Sequence, residues 1–267
     1  MKKILIIGLI SLIGLTGTTA RAQFDDYGVK LGLGSATLAD DLSTLNPILG
    51  INAGAYINYS FKHSPTALAE IFYLQTGINF VRRGNVFFEK YEKETTLVYR
   101  KGYHHIWYAQ LPILAGVHFE LPVRDPGHVV GFYLGPAVNY GIMGRYADRM
   151  ISPGISSRVA NYDVNFSGTE ADRKLFNHVN RLDISAIFGL TYERDKYTVS
   201  LFVDRGFIAV SEGTDVLRIL EGTATSGTGT TTNTTTNNDL SDATIPDGNN
   251  FAIMLSLSYK LGSFLKQ

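Results

Sequence analysis

The chain contains no cysteine. That excludes a disulfide framework, a lipid-modified cysteine and any thiolate metal site. An excess of one charge sign is also missing, with 24 Lys and Arg set against 24 Asp and Glu. No basic run or stripe points to nucleic acid as a partner. After residue 22 no apolar run is long enough for a transmembrane helix, so any crossing there must be made by strands. Signature chemistry is scarce too. No G-x-S-x-G, H-E-x-x-H or phosphate loop occurs. The closely spaced glycines of "GLGSATLADD" open no helix, which argues against a dinucleotide site.

What is present begins with a leader. Lys2 and Lys3 precede the apolar stretch Ile4 to Leu15, and small residues end at Ala20-Arg21-Ala22. A charged start, a short apolar run and an A-x-A site predict a secretory signal peptide over 1–22, cleaved before Gln23. Twelve residues of apolar run are too few to span a bilayer as a helix. The remaining 23–267, 245 residues long, suits one all-β domain. Without Lys2, Lys3 and Arg21 it holds 21 basic and 24 acidic residues, a net charge near −3.

The final segment shows the pattern that organises the rest. Phe251, Ile253, Leu255, Leu257, Tyr259 and Leu261 share one face, and Ala252, Met254, Ser256, Ser258 and Lys260 share the other. A period of two is a half-buried strand. An apolar band bounded by aromatics is what a strand with lipid outside and a polar lumen inside requires. Eight such strands are predicted at 27–36, 50–62, 69–82, 104–121, 129–145, 181–193, 197–209 and 250–261. Short, charged, turn-rich links at 63–66, 122–128 and 194–196 alternate with long ones at 37–49, 83–103, 146–180 and 210–249. That alternation matches tight periplasmic turns and longer extracellular loops. The expected fold is therefore all-β, an eight-stranded antiparallel up-and-down transmembrane β-barrel.

The orientation can be checked independently. With short turns periplasmic, the outward aromatics Tyr27, Tyr59, Phe61, Phe119, Phe132, Tyr192, Tyr197 and Tyr259 gather at the inner end. Phe80, Trp107, Tyr140, Phe207 and Phe251 gather at the outer end, with an aliphatic band between. Amphipathic and aromatic rings settle at membrane interfaces. The opposite face mixes glycines with Tyr56, Tyr73, Gln75, Asn79, Gln110, Tyr133, Asn139, Ser185 and Thr191, which suits a narrow interior filled by side chains. A pore is disfavoured on the same ground.

Pro112 and Pro136 fall near strand middles, where a missing N–H predicts bulges or local breaks. Strict alternation puts Arg205 on the lipid face, near the outer interface or turned away by a bulge at Arg205-Gly206. The inward charges are Lys30, Lys62, Glu120, Arg145, Asp183, Glu193, Asp204 and Lys260, with His118 nearby in parity. They read as a self-neutralising lumen, with Arg145 expected to pair with Asp183 at the outer rim. His104 and His105 point to opposite faces and do not readily share a metal. Ser185, His118 and Glu120 share the inward parity, but Ser185 lies high and His118 low, so a nucleophile–base pair is not expected. No catalytic, cofactor-binding or metal-binding residue is assigned, and no cofactor is implied.

Several strand segments resemble the PorT-like outer-membrane β-barrel family. They are "YGVKLGLG" (27–34), "YLQTGINFVRRGN" (73–85), "YAQLPILAGVHF" (108–119), "FYLGPAVNYGI" (132–142), "RLDISAIFGLTYE" (181–193) and "FAIMLSLSYKL" (251–261). The family's Tyr-x-x-(Ile/Leu)-Pro stretch opening the fourth strand is matched by Tyr108, Leu111 and Pro112. The resemblance implies an outer-membrane barrel, and the founding member is tied to a protein-secretion and surface-motility machinery. The expected function is that of a non-enzymatic integral barrel of the outer membrane. Outer-membrane lipid surrounds it, and envelope or secretion-machinery proteins are candidate partners through its long loops. The alternative is a barrel enzyme acting on lipid or peptide. The link 83–103 interleaves aromatics with mixed charges. It reads as a hairpin continuing strands three and four above the membrane, or as a partner-binding rim. The tract 222–238, "GTATSGTGTTTNTTTNN", is too poor in apolar residues to pack and is expected to be disordered.

Overall fold

A computed structural model describes residues 23–39, 45–60, 71–93, 96–122, 127–152, 155–164, 166, 180–210 and 248–263. The expected leader at 1–22, the tract 222–238, Phe61 and Lys62 lie outside the described residues. The described backbone forms nine strands: β1 (Gln23–Ala39), β2 (Leu45–Ser60), β3 (Phe72–Lys93), β4 (Thr96–Glu120), β5 (His128–Ser152), β6 (Ile155–Asp163), β7 (Leu182–Arg194), β8 (Tyr197–Ala209) and β9 (Asn249–Ser263). Eight of them close on themselves in the order β1-β2-β3-β4-β5-β7-β8-β9, with β9 returning to β1 and every pairing antiparallel. Closure leaves the ring without an edge strand, which a bilayer demands of any sheet that crosses it.

The eight predicted strands are the eight of the ring. β3 and β4 run on as a long hairpin to Lys93↔Thr96, so the hairpin reading of 83–103 holds. β6 was not foreseen. It lies within the expected link 146–180 and pairs with the outer extension of β5, from Arg145↔Asp163 to Ser152↔Ile155. Outside the membrane a strand needs no lipid-facing apolar row, and the period-two signal fades there.

The register fixes the geometry of the barrel. Glu120 opposes Val129, and the line continues through Glu193, Thr198, Ser258, Lys30, Gly54 and Asn79. It returns to β4 at Gln110, ten residues from its start. With a rise of roughly 3.3 Å per residue and strands roughly 4.8 Å apart, that shear tilts eight strands by about 40°.

Alternation then sorts the side chains. Leu31, Leu33, Ile78, Ile113, Leu134, Leu201 and Leu255 are exposed outward, and Tyr27, Phe119, Phe132, Tyr192, Tyr197 and Tyr259 form the aromatic ring at the short-link end. Phe80, Tyr140 and Phe207 stand exposed at the other. In water such a surface would be untenable. In lipid it is the solvated face.

Glycines make room for rings inside. Tyr73 opposes Gly116, Tyr133 opposes Gly189 and Tyr56 opposes Gly28. A Cβ at Gly116 or Gly189 would overlap the facing tyrosine ring. Each tyrosine thus lies flat over its glycine in the half of the lumen nearer the short links.

Pro112 and Pro136 interrupt pairing without shifting register. Pairs are missing around Pro112 between Thr76↔Ile113 and Asn79↔Gln110, and between Pro112↔Ala137 and Ala115↔Leu134, while the register resumes unchanged. Thr76 Oγ1 donates 2.8 Å to the Pro112 carbonyl across the gap. The bulge in this part of the sheet is elsewhere. Tyr108 opposes Gly141 and Trp107 opposes Met143, leaving Ile142 without an opposite. Arg205 stays on the outer face, in register with Ala186, and the β8–β9 irregularity comes after it, between Arg205 and Ala209.

Candidate functional site

The lumen holds two polar layers. The outer one is centred on Arg83, whose side chain is fully buried. Its Nη1 donates 3.4 Å to Asp183 Oδ2, and its Nη2 donates 3.3 Å to Asn139 Oδ1 and also to Asp204 Oδ2. Gln110 Nε2 donates to Asn139 Oδ1 at 2.9 Å and to Asp204 Oδ2 at 2.8 Å, and accepts from Asn79 Nδ2 at 3.1 Å. Asn139 Nδ2 donates 3.0 Å to Ser185 Oγ. Asn250 Nδ2 donates to Asp183 Oδ2 at 3.1 Å and Tyr108 Oη at 3.2 Å, and the Arg83 guanidinium lies 5.6 Å from the Tyr108 ring centroid. Six strands of the ring therefore meet in one network. A buried guanidinium is tolerated because it faces two carboxylates and the Asn139 amide oxygen at once.

Apolar side chains close the lumen on both sides of this network. Leu114, Ala137, Ile187, Phe202 and Met254 each lie two to four positions toward the short links from a network residue on the same strand, and pack as one buried cluster. Leu38, Ile106 and Val210 pack with Tyr108 at the opposite end, with Val164 and Phe166 against them.

The inner layer sits at the seam where β1 meets β9. Lys260 Nζ lies 2.9 Å from Asp26 Oδ2 and 3.0 Å from Glu193 Oε1. Asn58 Nδ2 donates 2.7 Å to Asp26 Oδ1, and Gln75 Nε2 donates 2.9 Å to Asn58 Oδ1. These residues line a vestibule of about 310 Å³ at the short-link end of the barrel.

The structure places the predicted charges differently in two respects. Asp183 binds Arg83 rather than Arg145, whose side chain is exposed. The cause is the bulge at Ile142. It reverses parity on β5, so that Asn139 and Tyr146 are buried on opposite parities and Arg145 turns outward. Arg83 was missed because it fell just beyond the predicted end of strand three, although it shares the parity of the buried Asn79 and Val81. Asp26, the partner of Lys260, fell just before the predicted start of strand one. Glu120 is exposed at the vestibule rim.

His104 is buried and His105 is half-buried on the other face, stacked on Tyr103 at 6.0 Å between centroids. Among the described residues no group of three or more His, Asp or Glu is placed to hold a metal ion. Ser185 belongs to the outer network, whereas His118 and Glu120 line the vestibule beyond the apolar layer. The structure does not bring the three together.

Among solved structures the chain is similar to Ail, the attachment invasion locus protein of Yersinia pestis. Identity is 9% and the TM-score 0.33, with 90% of this chain and 100% of that chain covered. The same protein in complex with the heparin analogue sucrose octasulfate gives 10% identity, a TM-score of 0.30 and the same coverage. No curated protein matches the chain in sequence. The model of the outer membrane protein beta-barrel domain family matches residues 21–212, and with its closed ring of eight strands the chain belongs to that family.

Proposed function

We propose that this outer-membrane barrel is non-enzymatic and works through its raised extracellular sheet, which contacts protein partners of an envelope assembly. One observation carries the reading. β3, β4 and β5 continue well past the outer aromatics Phe80 and Tyr140 and are joined there by β6, so four strands project from one side of the rim. This sheet bears exposed Phe88, which meets Tyr99 at 6.0 Å between centroids, and the stacked Tyr103–His105 pair. Aromatics held on a rigid, raised surface are suitable interface anchors. Arg83, Asp183, Asp204, Asn139 and Gln110 of the outer layer are meanwhile committed to one another, as in a structural plug. The PorT-like strand motifs support a place in a secretion or surface-motility assembly, reached by export through the leader at 1–22.

The test is crosslinking in intact outer membranes with a variant in which a short turn replaces residues 88–101. The reading expects specific crosslinked partners in the wild type and their loss in the variant, with the barrel still folded. An unchanged crosslinking pattern would contradict it.

A further inference from the structure

The vestibule is more than the barrel's inner mouth. Its closed end and its rim carry opposite charge. Lys30 lines the closed end, with its Nζ 6.0 Å from the Phe202 ring centroid, and forms no ion pair among the described residues. Asp204, the carboxylate whose charge acts on Lys30, is already engaged by Arg83 and Gln110. Among the described residues of the rim the acids Asp26, Glu120, Glu193 and Asp195 outnumber the cations Lys260, Arg194 and Lys196. Lys260 is shared by Asp26 and Glu193, and Arg194 faces Asp195 at 3.9 Å with both side chains largely exposed, while Glu120 is exposed. Between the two ends the walls carry hydroxyls and amides, among them Ser200, Ser256, Ser258 and Thr198.

Depth follows from the register. Lys30 lies five strands along the register line that starts at Glu120, which at the barrel's tilt puts its backbone about 15 Å deeper than the rim. With the Lys30 ammonium held at the closed end beside Phe202, the span to the rim is near that of four extended residues, about 14 Å. We propose that the vestibule binds the end of a short extended peptide, its terminal carboxylate on Lys30 and its ammonium group at Glu120 and Asp195. The hydroxyl-lined walls hydrogen-bond the peptide groups between. A net-neutral zwitterion suits a cavity with a cationic end and an acidic rim better than a simple anion or cation does, because each ligand charge meets its opposite. The ligand is of periplasmic origin, since the short links face that compartment.

Tetraalanine is the probe, titrated calorimetrically into the folded barrel in detergent alongside its carboxy-terminal amide and its N-acetyl form. Wild-type protein is expected to bind tetraalanine at millimolar concentration or better, with at least about a tenfold loss for the amide. Lys30→Met abolishes the difference between acid and amide, and Lys30→Arg restores it. Glu120→Gln, at an exposed position, weakens the free-amine peptide and leaves the N-acetyl form unaffected. Acid and amide binding equally, or no tetraalanine binding to folded wild-type protein, would overturn the proposal. So would inorganic phosphate binding at least as tightly as tetraalanine, because that would mark a plain anion site.

Discussion

Arg83 and Asp183, a hundred residues apart in the chain, meet across the lumen at 3.4 Å. Their side chains are 0% and 3% exposed, and Asp204 joins them from β8. Ion pairs at this depth do more to penalise disruption than to raise net stability, because each partner is costly to leave alone. Arg83→Leu strands two carboxylates in the interior. It is expected to lower unfolding stability by about 3–5 kcal/mol, measured by urea titration in lipid vesicles. Adding Asp183→Asn and Asp204→Asn to the same chain should recover part of that loss. No recovery would mean that the arginine acts by packing alone.

Neighbouring positions on β9 should behave very differently. Leu255 is 58% exposed to the lipid side and Ser256 is 3% exposed in the lumen. Leu255→Arg is expected to cost roughly 2–4 kcal/mol near the bilayer midplane, and Ser256→Ala far less. Equal losses in the same vesicle titration would contradict the assignment of faces.

The tyrosine–glycine pairs give a third test. Tyr133 lies over Gly189, where a Cβ would overlap its ring. Gly189→Val should destabilise by about 1–3 kcal/mol through overpacking. Combining it with Tyr133→Ala should recover part of this relative to the sum of the two single changes, and simple additivity would show that the two residues do not couple.

Much of this was legible in the sequence, and the reasons are specific. Period-two alternation is the direct image of a strand with lipid on one side, so Leu255 and Ser256 could be sorted without coordinates. Tyr56, Tyr73 and Tyr133 were likewise assigned to the lumen by parity. Arg83 was not recovered, because the lipid-facing signal weakens where β3 leaves the membrane, and the predicted strand ended at 82, one residue before it, whereas β3 runs to Lys93. Arg145 was placed inward because alternation carries no mark of a single extra residue at Ile142. β6 has no lipid contact to impose a pattern and left no signal of its own.

A filled lumen should not conduct. Leu114, Ile187, Phe202 and Met254 pack on one side of the Arg83 network, and Leu38, Ile106 and Val210 on the other. Purified protein in planar bilayers is expected to show no stable open channel. Reproducible large single-channel steps would mean that these layers separate in the membrane.

The most direct test of the barrel in its membrane uses the absence of cysteine, which makes single-cysteine labelling clean. Nitroxides placed through Leu255→Cys and Ser256→Cys report which face meets lipid. Spectra in vesicles should show the label at 255 relaxed strongly by oxygen dissolved in the bilayer and barely by a water-soluble nickel complex, with the label at 256 shielded from oxygen. A label at 255 that responds chiefly to the aqueous nickel complex would contradict the transmembrane barrel.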